Sequence, residues 1–222
     1  MTPQPARPAS DIAPDTPPAA PPDVSSGAGP DGEVPGRLDR DLLVAATVGL
    51  VDRHGVARFT MRMLGEELGR SAMATYRHVA NKDELVALAA DAVLAGVRIP
   101  EPGSGTPRER LRTLTQNAFL QLAGHPWVAP FLLTYVRSMP NADRVHAEMV
   151  TILSEVEPNR ERARLGAGAV RAYLIGWLAG YDGDRYRSSG AAGSGSGPSA
   201  AARAQFDFGL DAMIVGLLVS LS

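Results

Sequence analysis

Tyr76, Arg77, His78 and Lys82 are the residues of this chain best suited to hold an anion. Phenol, guanidinium, imidazole and ammonium can each donate a hydrogen bond to a phosphate oxygen. Arginine can also present a fork to guanine O6 and N7, so Arg77 has two readings, a base edge or a phosphate. Just before this set, Ala72, Met73 and Ala74 offer apolar groups of the kind that meet thymine methyls. Taken alone, Tyr76, His78 and Lys82 would be solvated helix surface. What separates that reading from nucleic-acid contact is the element that carries them.

Residues 60–82 read as two short helices joined by a tight turn. Thr60 can cap the first, Met63, Leu64 and Leu68 supply its apolar groups, and Gly69 ends it in a left-handed conformation. The spacing predicts a second helix from Ser71 or Ala72 that carries Tyr76, Arg77 and His78 and stops near Asn81. Asn81-Lys82-Asp83-Glu84 then opens a third helix as a capping box. Two helices across a short glycine-containing turn are the helix-turn-helix pattern, whose second helix enters the DNA major groove.

The composition fits a DNA module attached to something else. The chain has 222 residues, 45% of them hydrophobic, and a net charge of −2, so it is not a general polyanion binder. Residues 1–36 carry one basic and five acidic residues, whereas 37–82 carry eight basic and five acidic. There is no cysteine, which excludes disulfides, thiolate metal sites and a cysteine nucleophile and fits a reducing, cytoplasmic setting. No apolar run is long enough to span a membrane, and the N-terminus lacks a secretory apolar region.

Residues 1–36 hold 10 of the 18 prolines and few large apolar side chains, so they are expected to be a disordered tail. Helical periodicity begins at Leu38, with Leu42, Leu43, Ala46, Leu50 and Val51 on one face and Gly55 as the stop. Leu85, Leu88, Ala89, Ala92 and Val93 give the next helix an apolar stripe. The proline- and glycine-rich run 99–105 marks the boundary between a DNA-binding domain at 37–97 and a second domain at 106–222. In the latter, Thr106-Pro107-Arg108-Glu109 is a capping box for a helix to about Ala123. Helices follow from Trp127 to about Arg137, from Asn141 to before Pro158, from about Asn159 to Tyr181 and from about Ala202 to Leu221. Residues 182–200, rich in Gly and Ser, read as a mobile loop. Nothing reads as a strand, so the fold class is all-α.

The segment Phe59-Thr60-Met61-Arg62-Met63-Leu64, then Gly69, Tyr76-Arg77-His78-Val79 and Asn81-Lys82-Asp83-Glu84-Leu85, resembles the tetracycline repressor (TetR) family. Its Tyr-x-His-[Phe/Val]-x-x-Lys-x-x-Leu signature is present. The resemblance covers about residues 38–95. Beyond it, His125-Pro126-Trp127 and Phe206-x-Phe208-Gly209-Leu210-Asp211 resemble elements of the tetracycline-repressor-like C-terminal domain. It implies a homodimer of subunits with a three-helix head and a helical ligand-binding body, and a small-molecule effector that releases the protein from a double-stranded DNA operator. It places Thr60, Met61 and Arg62 near DNA, Ala72, Met73, Ala74 and Arg77 facing the groove, and Tyr76, His78 and Lys82 on phosphates. Two positions depart from the family pattern: Thr75 stands at an apolar core position, and Ala74 lacks a hydroxyl that often contacts DNA.

In the second domain, Trp127, Phe131, Tyr135, Tyr173, Trp177 and Tyr181 concentrate aromatics. They are either core or, together with Asn117, Gln121 and His125, the lining of an apolar pocket with a few polar groups. The Phe206, Leu210, Met213 and Leu217 stripe, and the small residues Gly166, Gly168, Gly176 and Gly180, are expected to form a four-helix interface between two copies. His54, His78, His125 and His146 share no ligand spacing, so neither metal nor cofactor is expected. Asp182-Gly183-Asp184 reads as solvated or as a weak cation site, and Gly193–Gly197 as linker rather than phosphate loop. No catalytic constellation is evident. The sequence thus points to a ligand-responsive repressor, with a same-fold activator, a ligand-independent regulator or a helical scaffold as alternatives.

Overall fold

The computed structural model describes residues 39–135, 139–189 and 198–221, without the side chains of Ala72, Ala74, 182–189 and Leu221. The expected tail at 1–36, the 190–197 part of the expected loop and the Asp182 and Asp184 side chains lie outside the described residues, and the sixth helix ends at Thr134, short of the expected Arg137. Those described are helical or irregular, with no strand among them.

Helix α1, Arg40–His54, begins where the Asp39 side chain accepts from the Leu42 N–H and ends at Gly55, whose φ of 76° favours glycine. It buries Leu43, Thr47, Leu50 and Val51, while Leu42 is 44% exposed. The core face is therefore rotated from the expected one. Thr47 can sit in it because its hydroxyl donates to the Leu43 carbonyl at 2.7 Å. Helix α2, Met61–Glu67, is capped by Thr60, and Gly69 adopts the expected positive φ of 61°. Helix α3 is only Ala72–Thr75. Helix α4, Lys82–Ala95, is capped by Asn81, but the Glu84 carboxylate reaches back to the Ala80 N–H rather than closing on Asn81.

Helix α4 is buried on two sides. Its Leu85 and Val86 join Leu43, Leu50, Val51, Phe59, Leu64 and Val79 in the core of the head. Its Ala90, Val93 and Leu94 belong to a larger core built by α5 (Pro107–Ala123), α6 (Val128–Thr134), α7 (Pro140–Ser154), α8 (Arg160–Ser189) and α9 (Ala200–Leu221). A fully buried side chain such as Phe59 contributes about 1.5–3 kcal/mol, so both cores hold α4 firmly. The expected capping box at Thr106 and Glu109 is present in full.

Helix α8 runs through 182–189, which corrects the expected loop at 182–200 for those residues. Extending an existing helix gains one hydrogen bond per residue fixed, and a single interior glycine costs only about 1 kcal/mol, so Gly183 does not stop it.

Candidate nucleic-acid interface and ligand chamber

The end of the head carrying α2 and α3 exposes Arg62, Met73, Tyr76, Arg77 and His78 together. Met73 is 76% exposed, which is costly for so apolar a side chain unless something covers it. Tyr76, Arg77 and His78 lie in the turn after α3, not in the helix as expected, and the His78 N–H closes that turn on the Thr75 carbonyl at 3.1 Å. Thr75 is fully buried at the core position noted in the sequence. Arg62 is exposed and reaches Glu66 at 3.4 Å, a pairing that water and salt weaken.

Met61 does not face outward. It is 6% exposed and packs in the head core, because the Thr60 cap turns the first helical position toward the core. The Thr60 hydroxyl oxygen accepts from the Met63 N–H, leaving its own proton for another partner. Lys82 is half-buried at the start of α4, its ammonium 5.8 Å from the Phe59 ring centroid. That cation–π contact offsets part of its conflict with the helix dipole.

The body contains a chamber of about 550 Å³ between α4, α5, α6, α7 and α8. Leu94, Leu122, Leu132, Met139, Val145, Met149, Leu174 and Ile175 make most of its wall, and Tyr135, Asp143, His146 and Arg171 add polar groups. A second hollow of about 220 Å³ shares Asp143 and His146 and is lined beyond them by Thr151, Arg160 and Arg164. His146 Nδ1 is buried without a hydrogen-bond partner. Burial, first, and then the Arg171 charge push the His146 pKa below the ordinary histidine value; Asp143 opposes them, and Arg164 adds a smaller push the same way as Arg171.

Of the nine residues expected to line a pocket, only Tyr135 lies on this chamber wall. Asn117 instead donates to the Arg98 carbonyl at 2.8 Å, and Gln121 lies against Gly96. His125 and Trp127 meet the Asp52 carboxylate of α1, at 2.9 Å from Nδ1 and 2.7 Å from Nε1. Phe131 stacks on Tyr135. Tyr173 donates to the Phe206 carbonyl at 2.9 Å, and Trp177 packs edge-on to Phe119 and Phe206. These aromatic and polar residues serve as core and joints. Missed instead was the α7 face Met139, Ala142, His146 and Met149, whose helical spacing was legible but which carries few aromatics.

Helices α4 and α7 cap each other. Asp91 accepts from the Asn141 N–H and side-chain amide, both at 2.8 Å, while Arg144 donates to the Leu94, Ala95 and Val97 carbonyls at 3.3 Å. The chamber wall is thereby joined to the helix that carries Lys82.

The expected interface stripe also needs correction. Phe206 and Leu210 are fully buried, and Met213 and Leu217 lean on the same core. The exposed apolar side of α9 is Phe208, at 79%, with Val215 and Val219, and Leu165 is exposed on α8. Space is open above Gly168, Gly176 and Gly180. Helix α9 is apolar on two faces, and periodicity alone does not say which turns inward.

No family model matches the chain. An HTH-type transcriptional regulator of Saccharopolyspora erythraea is 32% identical over 139 residues, which are 63% of this chain and 59% of that protein. The chain thus spans about three fifths of that relative's length. Among solved structures, the TetR family protein ActR of Streptomyces coelicolor, with actinorhodin, superposes with a TM-score of 0.71 at 22% identity, over 84% of this chain and all of that one. BioQ of Mycobacterium smegmatis gives 0.70 at 25% identity, over 82% and 99%.

Proposed function

We propose that this chain, a TetR-family protein by fold and by its helix-turn-helix head, is a homodimeric transcriptional repressor that a small molecule releases from its DNA operator. It acts in the cytoplasm and carries out no catalysis. The observation that carries the reading is the cluster of Met73, Tyr76, Arg77 and His78, exposed on a head whose α4 is tied by hydrogen bonds to α7, a helix of the chamber wall. An exposed methionine beside donors of phosphate and base hydrogen bonds suits a groove that offers both methyl groups and anionic edges. Thr60, Arg62, Ala72, Ala74 and Lys82 complete the contact set we propose. Two copies would join through the exposed faces of α8 and α9 and present their heads to successive major grooves, about 34–36 Å apart.

BioQ has been solved with its double-stranded DNA operator and ActR with actinorhodin, which supports both halves of the reading. The scheme is a two-state one: a ligand in the chamber favours a head spacing that does not fit DNA. Selection of binding sites from random duplex DNA by the purified protein tests it. The expected outcome is one enriched sequence with two-fold symmetric half-sites. Enrichment of no sequence would overturn the reading.

A further inference from the structure

Most of the chamber wall is apolar, and where it adjoins the second hollow the two linings together carry more basic than acidic groups, on arginines that are exposed. There α7 contributes Asp143 and His146, and α8 contributes Arg160, Arg164 and Arg171. Among the described residues no ion pair neutralises any of the three arginines. Asp143, the sole carboxylate among the described lining residues, is itself engaged in an interaction. His146 stands between the two hollows with Nδ1 buried and unpaired, an arrangement that disfavours the empty state.

We propose that the effector is an amphipathic organic acid whose apolar, ring-sized body fills the chamber and whose single anionic group lies at His146, between Arg171 and Arg164. This rests on the reading of the chamber as the effector site. Its size falls within the roughly 300–1,000 Å³ of small-molecule sites, and its Leu, Met and Val wall suits hydrocarbon. Arginine donates strongly to carboxylate and sulfonate oxygens, and a neutral imidazole can add one N–H to the same group. Burial first, and then the Arg171 charge, favours the neutral form of His146 against the pull of Asp143, and an arriving anion offsets the repulsion among the arginines. A cationic effector would be repelled by the three arginines, and a neutral one without an acceptor or donor there would leave His146 Nδ1 without a partner.

Two fluorescent probes of one skeleton test this on the full-length protein: 1-anilinonaphthalene-8-sulfonate and the neutral N-phenyl-1-naphthylamine. Wild-type protein should bind the sulfonate about tenfold more tightly than the neutral probe. Arg171→Gln and Arg164→Gln should each narrow that preference severalfold while leaving affinity for the neutral probe unchanged. Ala142→Trp, which fills the chamber, should abolish binding of both, with circular dichroism confirming that the variant folds. Equal affinity of wild-type protein for the two probes overturns the proposal. So does binding that persists in folded Ala142→Trp, or displacement of the sulfonate by equimolar inorganic phosphate. Duplex DNA binding measured on the same samples separates the two readings: its absence would remove the regulatory role and leave the acid preference standing.

Discussion

Replacing Asp91 with alanine removes the point at which α4 caps α7. Its carboxylate serves the Asn141 N–H and side-chain amide at 2.8 Å and the Ala142 N–H at a weaker 3.4 Å. Loss of an N-cap costs about 0.5–2 kcal/mol, and a hydrogen bond to a charged group contributes about 1.5–3 kcal/mol. Asp91 is half-buried, so water replaces part of the loss, and about 2 kcal/mol of unfolding free energy should disappear. Asp91→Asn keeps one acceptor oxygen and should lose about half as much. Arg144→Ala should cost about 1 kcal/mol, because three carbonyls at 3.3 Å share one nitrogen. Urea unfolding of the two single variants and the double variant measures these values and their coupling, expected at about 0.5–1 kcal/mol because both residues join the same helices. In the same variants an effector should release operator DNA less completely, since the chamber wall no longer carries α4 with it. A stability change below about 0.5 kcal/mol for Asp91→Ala would refute the capping argument. Normal stability loss with undiminished release would refute the coupling.

Asp52→Ala should cost about 1 kcal/mol, because water reaches the freed Trp127 Nε1 and His125 Nδ1, and should shift tryptophan emission to the red; unchanged emission would contradict the joint between α1 and Trp127. Gly209→Ala should cost about 1–3 kcal/mol, since a Cβ there would lie 2.2 Å from the Tyr173 hydroxyl and push it off the Phe206 carbonyl; unfolding midpoints equal to wild type would count against it. Phe208→Asp should give a folded monomer in sedimentation and lose operator binding, whereas Phe206→Asp should fail to fold; a soluble Phe208→Asp dimer would move the interface off this face of α9.

The helices were legible where their ends are written in side chains. Asp39, Thr60, Asn81 and Thr106 cap as their types suggest, and Gly55 and Gly69 stop helices with positive φ. The head was legible because local spacing determines it. The body was less so, because its chamber arises where α7 meets α8, and the lining residues of the two lie more than twenty positions apart in sequence. His125 and Trp127 looked like ligand groups by type, but the carboxylate that occupies them lies at Asp52, 73 and 75 positions away. The end of α3 at Thr75 and the extension of α8 to Ser189 depend on tertiary support and helix propagation rather than on marked stop signals.

Fluorescence anisotropy of the selected duplex and a scrambled duplex, titrated with wild-type protein at several salt concentrations, tests DNA recognition most directly. The selected site should bind two protomers, at least about 10³-fold more tightly than the scrambled one. Lys82→Ala should weaken both by a similar factor and lower the salt slope by about one unit. Equal affinity of the wild-type protein for the two duplexes would contradict the assignment of α3 and its following turn to sequence-specific DNA recognition.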